Sequence, residues 1–89
     1  MRRITVDCGA VTSRQALHQA LSEALCFPEH YGSNLDALHD CLTGICEPTT
    51  LFLQNWPALE ENLGSYARNA KRAILSAGVE NASLCVLFD

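Results

Sequence analysis

The chain has 89 residues, 48% of them hydrophobic and 18% charged, with five Gly, three Pro and a formal net charge of −4. That length suits one domain, residues 1–89, with a thin core, and the composition excludes a disordered or collagen-like chain. No apolar run approaches the ~20 residues that span a bilayer, and no apolar stretch of a signal peptide follows Met1-Arg2-Arg3, so a cytoplasmic protein without a membrane partner is expected.

Arg3-Ile4-Thr5-Val6-Asp7-Cys8, closed by Gly9, predicts a first strand. Thr12-Ser13-Arg14-Gln15 then offers a capping box, with the Thr12 hydroxyl at the N-cap and Gln15 three residues on. In the helix that follows, Leu17, Ala20, Leu21, Ala24 and Leu25 recur at helical spacing, with His18, Gln19, Ser22 and Glu23 between them. Pro28 biases Phe27 towards extended backbone and ends this helix near Cys26. After a loop over 29–33, a second helix starts at Ser33 or Asn34. Its apolar stripe is Leu35, Leu38 and Leu42 with Cys41, and Gly44 stops it at the C′ position.

Thr49-Thr50-Leu51-Phe52-Leu53 predicts a second strand. Asn55 can cap a short third helix with Pro57 in its first turn and Glu60 and Glu61 after it. Gly64-Ser65 separates it from a fourth, which carries Ala67, Ala70, Ile74 and Ala77 and closes at Gly78. Leu84-Cys85-Val86-Leu87-Phe88 is a third strand, apolar on both faces and expected to be buried on both. The order predicts an α/β fold of two layers: a three-stranded parallel sheet with about four helices packed mainly on one side.

All six basic residues lie near the ends, at Arg2, Arg3, Arg14, Arg68, Lys71 and Arg72. The interval between Arg14 and Arg68 holds Glu23, Glu29, Asp36, Asp40, Glu47, Glu60 and Glu61 and no cation. Phosphate neutralisation needs Lys or Arg, so direct nucleic-acid binding is not expected there, and the acidic stretch favours a cationic protein partner. The cysteines, Cys8, Cys26, Cys41, Cys46 and Cys85, are odd in number and lack CxxC spacing. They read as reduced thiols in apolar settings such as Leu84-Cys85-Val86. His39, Cys41 and Cys46 match no zinc-ligand spacing, and neither metal nor cofactor is expected.

Asp36, His39, Asp40 and Thr43 share the face of the second helix opposite its leucines. Asp36 has a structural reason, since Ser33-x-x-Asp36 is a capping-box spacing and an acid suits the first turn. Asp40 has none: it stands four residues from a like charge and in the last turn, where the helix dipole disfavours an anion. Local rules broken without compensation mark functional sites. Acid–base chemistry by these groups would need a pocket, which a convex helix face does not provide, and the chain has no phosphate loop or nucleophile elbow. A binding protein is therefore expected rather than an enzyme.

Pro28-Glu29-His30-Tyr31-Gly32-Ser33-Asn34-Leu35-Asp36-Ala37-Leu38-His39-Asp40-Cys41-Leu42-Thr43-Gly44 resembles the signature segment of the barstar family, small intracellular inhibitors of secreted guanyl-preferring ribonucleases. The resemblance implies a three-stranded parallel sheet and a partner, a secreted or toxin-type ribonuclease, whose cationic cleft is plugged by the second helix and the loop before it. It implies that Asp40 stands in for a phosphate and Asp36 pairs with a neighbouring cation. Asn34, Gly32 and Gly44 would supply amide or backbone contacts and His30 a ring, with Tyr31, His39, Ile45 and Cys46 completing the partner-binding set. Where the family's best-known member has aromatic residues, this chain has His30, His39 and Ile45. Where that member has a further acid on the last helix, an ungapped match places Ser76, with Glu80 a few residues on. A regulatory module on the same fold with a non-nuclease partner is the alternative.

Overall fold

The computed structural model describes residues 2–89. Strand β1 (Arg2–Asp7) leads through a 3-10 turn (Cys8–Ala10) to α1 (Arg14–Leu25) and α2 (Leu35–Thr43). Strand β2 (Thr49–Gln54), α3 (Trp56–Leu63), α4 (Ser65–Glu80) and β3 (Leu84–Phe88) follow. The strands pair in parallel in the order β1-β2-β3, with Ile4 opposite Leu51 and Leu51 opposite Val86. This is the expected two-layer α/β arrangement, and its parallel pairing follows from helical crossovers too long for a hairpin.

Strand periodicity decides which face the helices cover. Val6, Thr49, Leu51, Leu53 and Leu84 are buried, and Ile4, Val86 and Phe88 pack against that core on the same face. From the helices come Leu17, Leu21 and Leu25 of α1, Leu38 and Leu42 of α2, and Ala67, Ala70, Ile74 and Ala77 of α4. The alternate rows, Arg3-Thr50-Cys85 and Thr5-Phe52-Leu87, form the other face. There Arg3, Thr5, Cys85 and Leu87 are exposed. The expectation that β3 is buried on both faces therefore fails: a two-layer fold leaves one side of every strand uncovered. Cys85 is not the buried hydrophobe that its neighbours suggested, and Cys8 is the one fully buried thiol among the described residues.

Several boundaries differ from expectation by a residue or two. Ser13, not Thr12, caps α1, its hydroxyl accepting from the Ala16 amide at 3.0 Å. Asn55 makes no side-chain cap on α3; its amide donates instead to Asp7 at 2.9 Å, joining the ends of β1 and β2. Gly44 ends α2 with right-handed backbone, φ −85°, rather than as a left-handed C′ residue. Gly64 takes the positive φ between α3 and α4, where a Cβ would be strained. Gly78 does not close α4, which continues to Glu80. A Cβ there would stand 3.4 Å from Val86 Cγ2, an ordinary van der Waals contact, so α4 lies on β3 here without requiring glycine. Among the described residues no helix is long and apolar enough to cross a membrane.

The five cysteines are free thiols in distinct settings: Cys26, Cys46 and Cys85 exposed, Cys41 half-buried and Cys8 buried, its thiol pushed up to about 11 chiefly by burial. Native alkylation is thus expected to modify Cys26, Cys46 and Cys85 first and Cys41 slowly, with Cys8 reacting only after unfolding. Intact mass should show five modified thiols in denaturant; a reproducible two-thiol deficit would mean a disulfide that this structure lacks.

Candidate functional site

The loop between α1 and α2 is held by its own backbone. Cys26 takes left-handed backbone at the end of α1, and Phe27 N–H donates to Ser22 O at 3.0 Å. Tyr31 N–H returns to Pro28 O at 3.0 Å, bringing the Phe27 and Tyr31 rings to 4.9 Å. Ser33 has φ +51° and does not cap the next helix. Asn34 does so: its side-chain oxygen accepts from the Ala37 amide at 2.8 Å while its NH2 donates to Gly32 O at 3.3 Å. The capping box expected at Ser33 and Asp36 is therefore absent, and Asn34 is already engaged by the fold.

His18, expected among the polar positions of α1, is 1% exposed and holds this loop from beneath. Its Nδ1 meets the Tyr31 hydroxyl and its Nε2 the Tyr66 hydroxyl of α4, each at 2.6 Å. A neutral imidazole accepts at one nitrogen and donates from the other, so one tyrosine donates to the ring and the other accepts from it. Burial disfavours the imidazolium and holds His18 below the usual histidine range; burial, the largest cause, also pushes both tyrosines up. Arg14 lies over the Tyr66 ring at 4.4 Å, an engagement that draws this cation towards the α1–α4 side.

Leu38 and Leu42, both fully buried, seat α2 against α4 and the core. Its C-terminal end is tied by Asn81, whose side-chain NH2 donates to Leu42 O and Ile45 O, both at 2.9 Å, while its oxygen accepts from Ser83 N–H at 3.0 Å. These bonds satisfy carbonyls that a helix end leaves unpaired. The segment from Tyr31 to Ile45 is thus fastened at one end by a buried histidine and at the other by an asparagine.

Asp36 and Asp40 are exposed on the outer side of α2, and among the described residues neither carboxylate has a hydrogen bond or an ion pair. Beside them His39 Nε2 contacts Glu80 Oε2 of α4 at 2.5 Å, and Ser76 Oγ donates to the same oxygen at 3.3 Å. Ser76 and Glu80, the two residues near the expected acid of the last helix, therefore converge on one point of this face. Thr43 donates back to Asp40 O at 3.0 Å, and Cys46 Sγ lies 3.4 Å from Gly44 O. His30, Gly32, Gly44 and Cys46 are exposed, and Tyr31 and Ile45 half-buried, along one continuous run with the acids.

A groove of about 490 Å³ lies elsewhere, between α1 and the loop, with Gln15, His18, Gln19, Glu23, Glu29 and Tyr31 on its walls. Neither Asp36, His39 nor Asp40 lines it. Among the described residues no group of three His, Cys, Asp or Glu side chains could hold a metal ion.

A two-layer α/β protein that fastens an acid-bearing helix at both ends is the class these features define. The chain belongs to the Barstar family, described as "Barstar (barnase inhibitor)", which it matches over residues 1–87. It is also 43% identical over 81 residues to the Bacillus subtilis (strain 168) protein named "Putative ribonuclease inhibitor YrdF", covering 90% of this chain and 89% of that one. The resemblance carried by residues 28–44 therefore holds across the chain.

The lowered His18 carries a pH signature. The unfolded chain binds this proton more readily than the folded one, so the stability due to His18 is complete above the ordinary histidine value of about 6.5 and declines as pH falls below it. Denaturation midpoints at pH 7.5 and 5.5 should show that decline in the wild type. His18→Gln should cost about 1–3 kcal/mol at pH 7.5, through hydroxyls left without their partner, and flatten the dependence. An unchanged slope would remove His18 from this role.

Proposed function

We propose that this protein is an inhibitor that binds and blocks the cationic active site of a barnase-type ribonuclease, inside the cell, through α2 and the loop before it. The observation that carries the reading is the pair Asp36 and Asp40: exposed, without ionic partners among the described residues, and mounted on a helix that the fold holds in place. The family and the B. subtilis relative support the ribonuclease as target class.

A nuclease cleft is built of donors and cations that receive phosphate. A carboxylate fixed on a rigid helix can take the phosphate's place among them through charge-assisted hydrogen bonds. Asp40 holds that position and Asp36 pairs with a neighbouring cation. The backbone of Gly32 and Gly44 and the surfaces of His30, Tyr31, His39, Ile45 and Cys46 surround them. Rigidity matters because each side chain already ordered in the free protein lowers the cost of association. The domain, residues 1–89, acts without cofactor or metal and catalyses nothing.

His30, His39 and Ile45, in place of large aromatic residues, point to a partner surface adjusted from that of the family's best-known member. Aromatic anchors dominate many interfaces, so their loss shifts binding towards charge. A non-nuclease partner with the same cationic chemistry remains the second reading on this ground.

Asp40→Ala separates binding from folding. Stability should stay level or rise by a few tenths of a kcal/mol, since the substitution removes an anion from the last turn and from beside Asp36. Binding to barnase should fall by about 2–5 kcal/mol, a range to which complexes of this family themselves contribute. The wild-type association rate should drop steeply between low and physiological salt. Leu38→Ala, on the buried side, should cost about 2–5 kcal/mol of stability by leaving a cavity. Full affinity in Asp40→Ala, or an association rate flat in salt, would contradict the mechanism.

A further inference from the structure

The inhibitor reading uses Asp36 and Asp40 but leaves the contact between α2 and the end of α4 unexplained. His39 is a half-buried imidazole whose Nε2 meets Glu80 Oε2 at 2.5 Å, and Glu80 is also held by Ser76 Oγ at 3.3 Å. Glu80 is therefore an exposed acid with two side-chain partners rather than a free side chain at a helix end. It is fixed beside the helix that carries the two acids.

We infer that His39 is a positioning residue for Glu80, placing it as a third carboxylate on the acid face, and that a proton on His39 weakens that face towards a cationic partner. This rests on the reading of Asp36 and Asp40 as the binding acids and adds a means of regulating them.

The charged groups around His39 make the direction of the effect definite. On α2, Asp36 lies one turn before it and Asp40 directly after it. From α4 its partner is Glu80, with the Ser76 hydroxyl on the same oxygen. No Lys or Arg lies on α2. The cations of α4, Arg68, Lys71 and Arg72, lie at least eight residues before Glu80, about 12 Å along the axis. A neutral His39 can donate from Nε2 and hold Glu80 while leaving three negative charges on the face. A protonated His39 still holds Glu80 but adds a positive charge among those three. The attraction that steers a cationic surface is then reduced by one unit at the point of contact.

The cost of this arrangement falls on contact area. A large aromatic side chain at position 39 would bury more surface against a partner and could still donate a hydrogen bond from an indole or a phenol, but it would not take up a proton. The exchange trades hydrophobic contact for a third ordered acid and a proton-dependent one.

The test has one arm without a partner and one with barnase as the probe. In the free protein, the Glu80 carboxyl carbon signal is followed by NMR from pH 4 to 8.5. It should show a second inflection at the pH where the His39 ring titrates, and His39→Gln should abolish it. An unperturbed Glu80 signal through the His39 titration overturns the proposal. In the second arm, association rates with barnase are measured from pH 5.5 to 8 for wild type, His39→Gln, His39→Leu and Glu80→Gln. The partner's own titration is common to all four and cancels in the ratios.

His39→Gln retains a neutral donor, so whatever its own rate at pH 8, it should lose a smaller fraction of that rate on acidification than the wild type does. His39→Leu should bind roughly two- to fivefold more weakly at pH 8, with little further loss when Glu80→Gln is added. Identical pH profiles for wild type and His39→Gln overturn the coupling while leaving the inhibitor reading intact. Absence of binding by every form at every pH, with the Glu80 response present, overturns the inhibitor reading and the coupling to binding together.

Discussion

A carboxylate replaces a bound phosphate only if its position is settled before the partner arrives, and α2 is too short to settle it alone. Nine residues are fewer than the ~12–15 at which isolated helices become even marginally stable, so tertiary contacts must hold this one. Leu38 and Leu42 supply the seat, Asn34 the cap, Asn81 the tie at the far end, and His18 the hold on Tyr31 in the preceding loop. The three-stranded sheet, with α1 and α4 packed on it, serves to bring these anchors from four parts of the chain to one edge of the molecule.

What is anchored is locally unfavourable. Asp36 and Asp40 repel each other, and Asp40 opposes the helix dipole. Three of the six basic residues are engaged elsewhere: Arg2 pairs with Glu47 at 3.5 Å, Arg14 covers Tyr66, and Lys71 sits over Phe88 at 4.9 Å. Acids without an ionic partner among the described residues are thus kept by the fold at a small cost in stability, which the proposed inhibitor role would offset. His39 of the same helix meets Glu80 of α4, the contact on which the inferred proton dependence rests.

The fold was legible because helical and strand periods differ and the apolar residues follow them: Ala67, Ala70, Ile74 and Ala77 are all buried, and Leu51 and Leu53 alternate as a half-covered strand requires. The acids were legible because Asp40 breaks a helix rule. The anchors were not. His18 appeared polar because its burial depends on two tyrosines 13 and 48 residues away, and no local spacing reports such a meeting. Asn81 bonds carbonyls nearly 40 residues back, and Glu80 finds His39 only once α4 is seen to run two residues past Gly78. Caps misplaced by one residue, at Thr12 and Ser33, have a common cause: adjacent Ser, Thr and Asn residues are near-equivalent caps, and loop geometry chooses between them. The exposure of Cys85 and Leu87 follows from the number of layers rather than from their own apolar neighbours.

The central claim is that one edge of the molecule, built from the loop after α1, from α2 and from the end of α4, is the surface that meets a ribonuclease. Amide hydrogen exchange of this protein, free and with an equimolar barnase-type nuclease, tests it most directly. Protection is expected over residues 29–46 and at 76–80, with the open sheet face around Phe52 and Leu87 unchanged. Protection centred on that sheet face, or none anywhere at concentrations where both proteins are folded, would contradict the account.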